Sequence, residues 1–199
     1  MTHYFDETPG VASDTRSVDV ALPDLAFTME TDRGVFSHGR LDPGTSLLLR
    51  DAPAPAATGD LLDLGCGAGP IALTMAKRSP EATVWAIDVN DRARRLTARN
   101  AERNRLSNIT ACTLDDVPVD VQFATIWSNP PIRIGKSALH ALLLDGLGRL
   151  APQGEAILVV QKHLGADSLQ RWLADAGWPT DRIAGRGGYR LLHVTRSAP

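Results

Sequence analysis

The stretch Asp63-Leu-Gly65-Cys66-Gly67-Ala68-Gly69 decides the fold. Its first two residues end a short run at residues 61–64, which predicts a buried strand. A helical pattern follows at 70–78. Glycines between a strand and a helix allow a sharp turn and let a ligand approach the backbone amides. The GxGxG spacing, with an acid two residues ahead, differs from the GxGxxG of dinucleotide-binding loops. The stretch therefore predicts a nucleotide-like ligand without a pyrophosphate.

Outward from this loop, strand and helix patterns alternate to the end of the chain. We predict further strands at 83–87, 109–112, 123–127, 155–160 and 189–195, and helices at 90–104, 137–150 and 168–176. This alternation predicts an α/β fold with a doubly wound, parallel sheet and right-handed crossovers. In such sheets ligands bind at the carboxyl ends of the strands.

The first fifty residues follow a different pattern. Segments 17–22 and 25–29 flank Pro23-Asp24 and predict a β-hairpin, and 45–50 predicts a short helix. The Pro/Ala-rich piece 51–59 predicts a connector. We therefore expect an N-terminal extension, residues 1–50, packed on a core domain of residues 60–199, with both forming one globular unit.

Composition excludes several classes of protein. The chain has 199 residues and is 43% hydrophobic, which fits one globular domain. Its two cysteines form no CxxC pair and its five histidines show no metal-ligand spacing, so we predict no metal site and a reducing, cytoplasmic setting. We expect neither a signal peptide nor a membrane span. The net charge is −2, but residues 33–199 carry +4.

Three acids follow strands at the predicted ligand edge. Asp63 is placed to attract an ammonium group, directly or through water. Asp88, about 20 residues past the loop, is placed to accept hydrogen bonds from both hydroxyls of a ribose. The alternative for both is a helix cap or a solvated strand end. Asp115 is a candidate for contact with an adenine amino group, although it is nearly as well explained as an ordinary loop acid and Asp116 competes for the role.

The most specific motif is Ser128-Asn129-Pro130-Pro131-Ile132-Arg133, after the fourth strand of the core. Two prolines fix their own φ and restrict the residue before each, so the Asn129 side chain and the Pro130 carbonyl are predicted to be two rigid acceptors. Two acceptors suit one NH2 group whose lone pair is delocalised, because accepting both N–H bonds favours a pyramidal nitrogen. Catalysis would then rest on positioning and charge stabilisation, without a covalent intermediate or a dedicated base. The alternative is a plain loop with an asparagine turn.

This combination resembles the class I S-adenosylmethionine-dependent methyltransferases, and Asn-Pro-Pro marks the branch that methylates amino groups. A closer resemblance is to the small-subunit (16S) rRNA guanine-N2 methyltransferases, especially their single-domain relatives, and it runs from about His3 to the last strand. It implies a Rossmann-like, seven-stranded, mostly parallel sheet. The segments that carry it are Gly-Val-Phe-Ser at 34–37, Leu-Asp-Pro-Gly-Thr at 41–45, the stretch 63–69, Asn-Pro-Pro-Ile-Arg-Ile-Gly-Lys at 129–136 and Val-Gln-Lys at 160–162.

The resemblance implies transfer of a methyl group from S-adenosylmethionine to the N2 amine of a guanine in small-subunit ribosomal RNA. The implied partner is this RNA or a small-subunit particle, without a membrane or a metal, and the implied enzyme is a monomer or weak dimer. Asn129 and Pro130 are the implied catalytic residues. The implied cofactor contacts are Asp63, Gly65, Cys66, Gly67, Asp88, Val89, Asp115 and Asn129. The implied substrate contacts are Pro131, Ile132, Arg133 and Lys136.

Two features depart from the family pattern. Ile132 stands where amino methyltransferases commonly place Phe or Tyr to stack on the base, so stacking is weaker or is supplied elsewhere. Some rRNA enzymes of this type carry a second, degenerate domain that helps to grip RNA, and none is predicted in these 199 residues. Phe36 and Ser37 are implied to line the mouth of the site, although Phe36 fits the core equally well.

Several interpretations stay open. The arginines of the predicted helix 90–104 form either a phosphate-tracking stripe or a solvated helix face, and we favour the solvated face. Other acceptors for the methyl group are glutamine N5 in a protein and adenine N6 in DNA. A cofactor-binding module that scaffolds ribosome assembly without turnover is the non-enzymatic alternative, which the joint presence of Asp63, Asp88 and Asn129-Pro-Pro disfavours.

Overall fold

The fold is that of a computed structural model, in which residues 10–196 are described. An antiparallel hairpin of β1 (Arg16–Ala21) and β2 (Ala26–Thr31) is followed by helix α1 (Pro43–Asp51), as the sequence predicts. The first nine residues of the predicted extension, with His3 at the start of the family resemblance, lie outside the described residues.

The rest of the chain forms one seven-stranded sheet with helices on both faces. The strand order is β5-β4-β3-β6-β7-β9-β8, in which β9 runs antiparallel to both of its neighbours and the other pairs are parallel. The predicted α/β, mostly parallel, seven-stranded fold is therefore confirmed. The elements are β3 (Thr58–Leu64), α2 (Pro70–Arg78), β4 (Glu81–Ile87), α3 (Asp91–Arg103), β5 (Ile109–Cys112), β6 (Phe123–Ser128), α4 (Lys136–Gly148), β7 (Leu150–Gln161), α5 (Ala166–Asp175), β8 (Thr180–Arg186) and β9 (Tyr189–Thr195).

Three parts of the element assignment were wrong. The predicted helix 137–150 ends too late and the predicted strand 155–160 begins too late, because β7 already starts at Leu150, before the Pro-Gln-Gly stretch 152–154 that interrupts its apolar pattern. Strand β8 was not among the predicted strands, because its residues are mostly exposed and show no apolar alternation. The predicted connector 51–59 ends too late, since Thr58 and Gly59 already pair with β4. The connector is also tied to the sheet, because the Ala56 N–H donates to Thr125 Oγ1 at 3.0 Å.

The sheet separates two apolar cores, which follow from the period-two alternation of side chains along its strands. Leu61 of β3 packs with α1 and α2 on one face, and the next residue, Leu62, packs with α4 and α5 on the other. Both leucines are fully buried, and each such side chain stabilises the fold by roughly 1.5–3 kcal/mol. Among the helices of residues 10–196, none is long and apolar enough to cross a membrane.

The hairpin is attached to the core next to the glycine loop. On α3, the buried Asn100 accepts the Glu30 N–H at 2.7 Å through Oδ1, and its Nδ2 donates to the carbonyls of Glu30 and Ala68 at 2.8 Å each. One amide thus links β2 to the loop that follows β3. The N-terminal segment therefore lies over the carboxyl edge of the sheet, where the predicted site residues are.

Candidate functional site

The glycine loop, residues 65–69, joins β3 to α2 at the carboxyl edge of the sheet. The backbone N–H groups of Gly65 and Cys66 donate to the Ile87 carbonyl at 2.8 and 2.9 Å, which fixes the loop to the end of β4. Gly67 has a φ of 57°, in the left-handed region that favours glycine. A Cβ at this position would lie 3.9 Å from the side chains of Val35 and Phe36, so a larger side chain would fill the space beside the loop.

Asp63 is fully buried at the end of β3. Its Oδ2 accepts the Ala72 N–H in the first turn of α2 at 2.9 Å, whereas its Oδ1 has no hydrogen-bond partner in the described part of the chain. Burial raises the pKa of Asp63 to about 8; the Ala72 bond opposes this shift and the Asp88 charge adds to it. The carboxyl is therefore mostly protonated at pH 7 unless a positive charge lies beside it.

Both carboxylate oxygens of Asp88 accept hydrogen bonds from backbone N–H groups. Oδ2 accepts the Gly67 N–H and Oδ1 accepts the Asn90 N–H, each at 2.9 Å. Burial raises the pKa of Asp88, while these bonds and the nearby Arg94 act to lower it. Because a carboxylate offers about four lone-pair sites, it can still accept bonds from two hydroxyls. The Arg94 guanidinium donates to the carbonyls of Asp88 and Val89 at 2.8 Å each. Val89, the residue after Asp88, is 55% exposed.

The two acids after β5 have different environments. Asp116 closes a short 3-10 turn, because its Oδ2 accepts both the N–H and the hydroxyl of Thr113 at 2.9 and 2.6 Å. These bonds lower the pKa of Asp116. Asp115 is exposed and its carboxylate has no hydrogen-bond or ion-pair partner within residues 10–196. Of the two, Asp115 is therefore the one that is free to contact a ligand.

Asn129 is held by the N-terminus of α1. Its Nδ2 donates to Asp42 Oδ2 and to Thr45 Oγ1, both at 2.9 Å. Asp42 is the N-cap of α1, and the same Oδ2 accepts the Thr45 N–H at 2.9 Å. An ionised carboxylate only accepts hydrogen bonds, so the NH2 group of Asn129 must face Asp42. The network therefore leaves the amide oxygen of Asn129 as its free acceptor.

Sequence interpretation missed Asp42 and Thr45 as site residues. The signal was present in Asp42-Pro-Gly-Thr45, which has a preferred N-cap residue followed by proline at the first helical position. That signal predicts the start of a helix and says nothing about what the cap contacts.

The backbone after Asn129 is a rigid tight turn. The Pro130 carbonyl accepts the Ile132 N–H at 2.8 Å around Pro131, whose φ of −75° and ψ of 73° are those of an inverse γ-turn. One of the two lone pairs of this predicted acceptor is therefore occupied, and one is left. Ile132 packs against the core formed with α4 and α5, whereas Arg133 is exposed.

The arginines of α3 mostly serve the fold. Arg92 donates to the carbonyls of Arg33 and Val11 at 2.7 and 2.8 Å, and Arg103 pairs with Glu30. Arg94 donates to the backbone at the end of β4, as described above, and Arg95 pairs with Asp91 within the helix. The helix is neither a free phosphate-tracking stripe nor a purely solvated face, because Arg92 and Arg103 fasten the N-terminal segment to the core while Arg99 is exposed.

A cavity lies between the glycine loop, the N-terminus of α1 and Asn129. Of the predicted site residues, it brings together Gly65, Cys66, Gly67 and Asn129. Asp63, Asp88 and Val89 stand behind or beside the loop. The predicted residues that do not line the cavity are Asp115, the buried Pro130, Pro131, Ile132, Arg133 and Lys136. The other lining residues are Met29, Thr31, Phe36, Ser37, Arg40, Leu41, Asp42, Thr45, Ala68, Pro70 and Ile71.

The residues of this edge fit S-adenosylmethionine. The unpartnered, buried Oδ1 of Asp63 matches an ammonium group, which would also stabilise the ionised form of this carboxyl. Gly67 has no side chain, which lets a ligand approach the loop backbone next to Phe36. Asp88 has lone pairs for ribose hydroxyls, with the exposed apolar Val89 next to it.

Comparison with known proteins agrees with this chemistry. Residues 26–193 match the methyltransferase small domain family. The chain is 36% identical over 197 residues to YbxB, an uncharacterized protein of Bacillus subtilis, with 98% of each chain covered. It is 35% identical over 155 residues to ribosomal RNA small subunit methyltransferase C of Vibrio parahaemolyticus, which covers 75% of this chain and 44% of that protein.

A solved structure has the same fold. The 16S rRNA N2 G1207 methyltransferase RsmC of T. thermophilus, in complex with AdoMet and guanosine, superposes with a TM-score of 0.77 at 24% identity. The match covers 94% of this chain and 52% of that chain, so the chain spans about half the length of these rRNA methyltransferases. The predicted family and its cofactor, S-adenosylmethionine, are confirmed by the family match, which extends from β2 to β9. The chain belongs to the methyltransferase small domain family.

Proposed function

We propose that this protein transfers a methyl group from S-adenosylmethionine to the exocyclic N2 amine of a guanine in small-subunit ribosomal RNA. The observation that carries the proposal is the orientation of Asn129, whose amide nitrogen is bound by Asp42 and Thr45. A fixed acceptor at the carboxyl edge of the sheet suits an NH2 group as the target. The names of the rRNA methyltransferase relatives support the RNA and the base.

The chain supplies acceptors, orientation and charge stabilisation. The Asn129 amide oxygen and the remaining lone pair of the Pro130 carbonyl would accept the two N–H groups of the amine. This favours a pyramidal nitrogen and stabilises the positive charge that develops on it. When bound, S-adenosylmethionine supplies an electrophilic methyl carbon. Burial raises the pKa of the Cys66 thiol well above its ordinary value, so the cysteine of the loop stays neutral and is no nucleophile.

The cofactor contacts divide by chemistry. We assign the ammonium group to Asp63 Oδ1 and the ribose to Asp88. The backbone of Gly65, Cys66 and Gly67 would border the amino-acid part of the cofactor, as the sequence predicts. Val89 and Asp115 remain the proposed neighbours of the adenine, because one is an exposed apolar side chain and the other an exposed carboxylate that follows the next strand.

The charge around the cavity supports an RNA substrate. Five basic side chains are exposed at the carboxyl edge and form no ion pair within the described residues. We call them the basic rim: Arg40, Arg133, Lys136, Lys162 and Arg186. They come from the loop before α1, the turn after β6, the first residue of α4, the residue after β7 and the end of β8. Free cations at the same edge of the sheet as Asn129 match a base flanked by phosphates.

The acceptor is identified by product analysis. We expect the purified protein, with labelled S-adenosylmethionine, to methylate small-subunit particles or 16S rRNA, and nucleoside digestion to give N2-methylguanosine. Large-subunit particles, DNA and total protein are parallel substrates. N6-methyladenine or N5-methylglutamine as the dominant product would replace the proposal by one of its alternatives, and cofactor binding without turnover of any of them would support the non-catalytic module.

Asn129→Ala tests the role of the amide in catalysis. Loss of one oriented polar group in an active site lowers kcat by a hundredfold or more, about 2.7 kcal/mol. We therefore expect such a loss for Asn129→Ala, while the Kd of S-adenosylmethionine changes by less than about threefold. Equal losses of kcat and cofactor affinity would make Asn129 a cofactor or structural residue.

A further inference from the structure

A large aromatic side chain is exposed inside the cavity. Phe36 lines the cavity together with Asn129 and the glycine loop, and it is 45% exposed. Its Cβ lies 3.9 Å from the position that a Cβ at Gly67 would take. Within residues 10–196, it is the only aromatic residue that lines this cavity. An apolar ring that faces water next to a polar acceptor is a typical feature of a ligand-binding surface.

The exposure of Phe36 is not the result of a loose loop. The segment 32–41, which we call the Phe36 loop, is held at several points by the core. Asn90 Nδ2 donates to the Gly34 carbonyl at 2.7 Å, and the Gly39 N–H donates to Thr31 Oγ1 at 2.8 Å. Val35, the neighbour of Phe36, is buried against Ala68 and residues of α3. The loop thus buries Val35 and presents Phe36.

The backbone at the following residue has a strained conformation. Ser37 has a φ of 61°, one of only two positive φ values for a non-glycine residue in the described part of the chain. Its Oγ donates to the Arg40 carbonyl at 3.0 Å, which stabilises the turn. Such a conformation persists only where the surrounding structure fixes it, and it is most common at functional sites. This strained residue directly follows the exposed Phe36.

The position where an aromatic ring was expected is used differently. Ile132, after the two prolines, packs against the core formed with α4 and α5. Tyr189 is nearby but lies against Gly44 in α1, where a Cβ would come within 2.7 Å of its ring. Neither side chain offers a free face to the cavity.

We infer that Phe36 is the surface on which the target base stacks while Asn129 accepts its amine, an inference that rests on the proposed function. The ligand class is the planar face of an unpaired or flipped purine. Stacking on an aromatic side chain is the common way in which proteins hold unstacked bases. The Phe36 loop thereby takes the role that the residue after the prolines does not fill.

The test compares Phe36→Leu with Phe36→Trp. Stacking contributes roughly ten- to a hundredfold per base, so we expect Phe36→Leu to lower kcat/KM for RNA by about this factor. Phe36→Trp should keep at least a third of the wild-type value, because it restores an aromatic face. The Kd of S-adenosylmethionine should stay within about twofold for both variants. The control is Val119→Ala, which removes an apolar side chain that is 93% exposed at the opposite end of β6.

A second readout works without turnover. A single-stranded RNA that carries 2-aminopurine, whose fluorescence is quenched by stacking, is titrated with each protein in the presence of S-adenosylhomocysteine. We expect quenching with the wild type and Phe36→Trp, and weaker quenching with Phe36→Leu. Equal quenching by all variants overturns the inference, and so does a loss of cofactor affinity that parallels the loss of kcat/KM, since Phe36 would then cover the cofactor.

The outcomes separate this inference from the proposed function. If the product is N2-methylguanosine and Phe36→Leu is as active as the wild type, only the stacking inference fails. If the product is N6-methyladenine and Phe36→Leu is slow, the proposed base is wrong and stacking stands. Methylation of glutamine alone overturns both, because that substrate has no aromatic face.

Discussion

The Asn129 amide, which we propose to be catalytic, depends on one carboxylate for its orientation. Asp42 binds the Asn129 Nδ2 and the Thr45 N–H with the same oxygen. Asp42→Asn keeps a good N-cap, since Asn and Asp are nearly equivalent there, but its new NH2 group can donate to a flipped Asn129. We expect kcat to fall about tenfold, ~1.4 kcal/mol, while the free energy of unfolding changes by less than about 1 kcal/mol.

Steady-state kinetics and urea unfolding of the same preparations measure the two effects. Asp19→Asn is the control, because it removes an equal charge from an exposed position in β1. If Asp42→Asn lost stability and kept its kcat, Asp42 would be only a helix cap.

Asp63 makes the stability of the cofactor-free protein depend on pH. Its pKa is raised from 3.8 to about 8, so the folded protein holds a proton that the unfolded chain releases between these values. The contribution of Asp63 to the free energy of unfolding is therefore greatest below pH 4 and is lost as pH rises toward 8. Linkage limits the slope to about 1.4 kcal/mol per pH unit.

Asp63→Asn removes this slope. In urea unfolding at pH 5, 6, 7 and 8 without cofactor, we expect the variant to gain stability relative to the wild type at each step. Saturating S-adenosylmethionine should flatten the wild-type curve, because an ammonium group beside Asp63 favours the carboxylate. Parallel curves for wild type and variant without cofactor would show that Asp63 does not titrate in this range.

At the scale of elements, α1 is positioned by close contact with β9. A Cβ at Gly44 would lie 2.7 Å from two ring carbons of Tyr189. We expect Gly44→Ala to lower the free energy of unfolding by roughly 1–3 kcal/mol through overpacking, although alanine is the better helix former. In a Tyr189→Ala background the same change should cost much less, with only the contact to Asp42 Oδ2 at 3.0 Å remaining. Gly148→Ala in α4 is the control, because nothing lies within 4 Å of its Cβ position.

Urea unfolding of the four proteins in this cycle gives the coupling energy between the two positions. A cost of Gly44→Ala that is the same in both backgrounds would mean that Tyr189 does not set the distance between α1 and β9.

The elements with strong local signals could be predicted from the sequence. The bounds of α2, β5 and β9 agree with the predicted ones, because an apolar pattern defines all three and glycine precedes α2 and β9. The contact that orients Asn129 could not be predicted. Asp42 lies 87 residues before Asn129, and its own sequence context signals only a cap. The hydrogen bonds of Arg94 to the carbonyls of Asp88 and Val89 could not be predicted either, because they depend on where β4 ends relative to α3.

At the scale of the molecule, charge is distributed so that one edge is free to bind phosphates. Most guanidinium groups of α3 are bound to other parts of the chain, whereas the side chains of the basic rim form no ion pair within the described residues. We expect the double variant Arg133→Ala/Lys136→Ala to lower the salt slope of RNA binding by about 1.4, at roughly 0.7 per phosphate contact on single strands. Arg99→Ala, on the exposed side of α3, should leave the slope unchanged.

Filter binding or anisotropy at several salt concentrations measures this slope. A larger effect of Arg99→Ala than of the double variant would move the RNA path from the rim to α3. Only part of the basic rim could be predicted from the sequence. Arg133 and Lys136 follow the Asn-Pro-Pro motif directly, whereas Lys162 and Arg186 come to the same edge through the order of strands in the sheet.

Strand β8, which carried no apolar pattern, forms one border of the sheet. A border strand has unpaired backbone groups that can recruit a strand from another molecule. Charged side chains such as Asp181 and Arg182, and the break in pairing between Arg182 and Ala184, make β8 a poor template for such growth. The other border, β5, is limited to four residues. The irregularity that hides β8 in the sequence thus protects the sheet against aggregation, because a β8 with regular apolar alternation would offer an exposed border strand to other molecules.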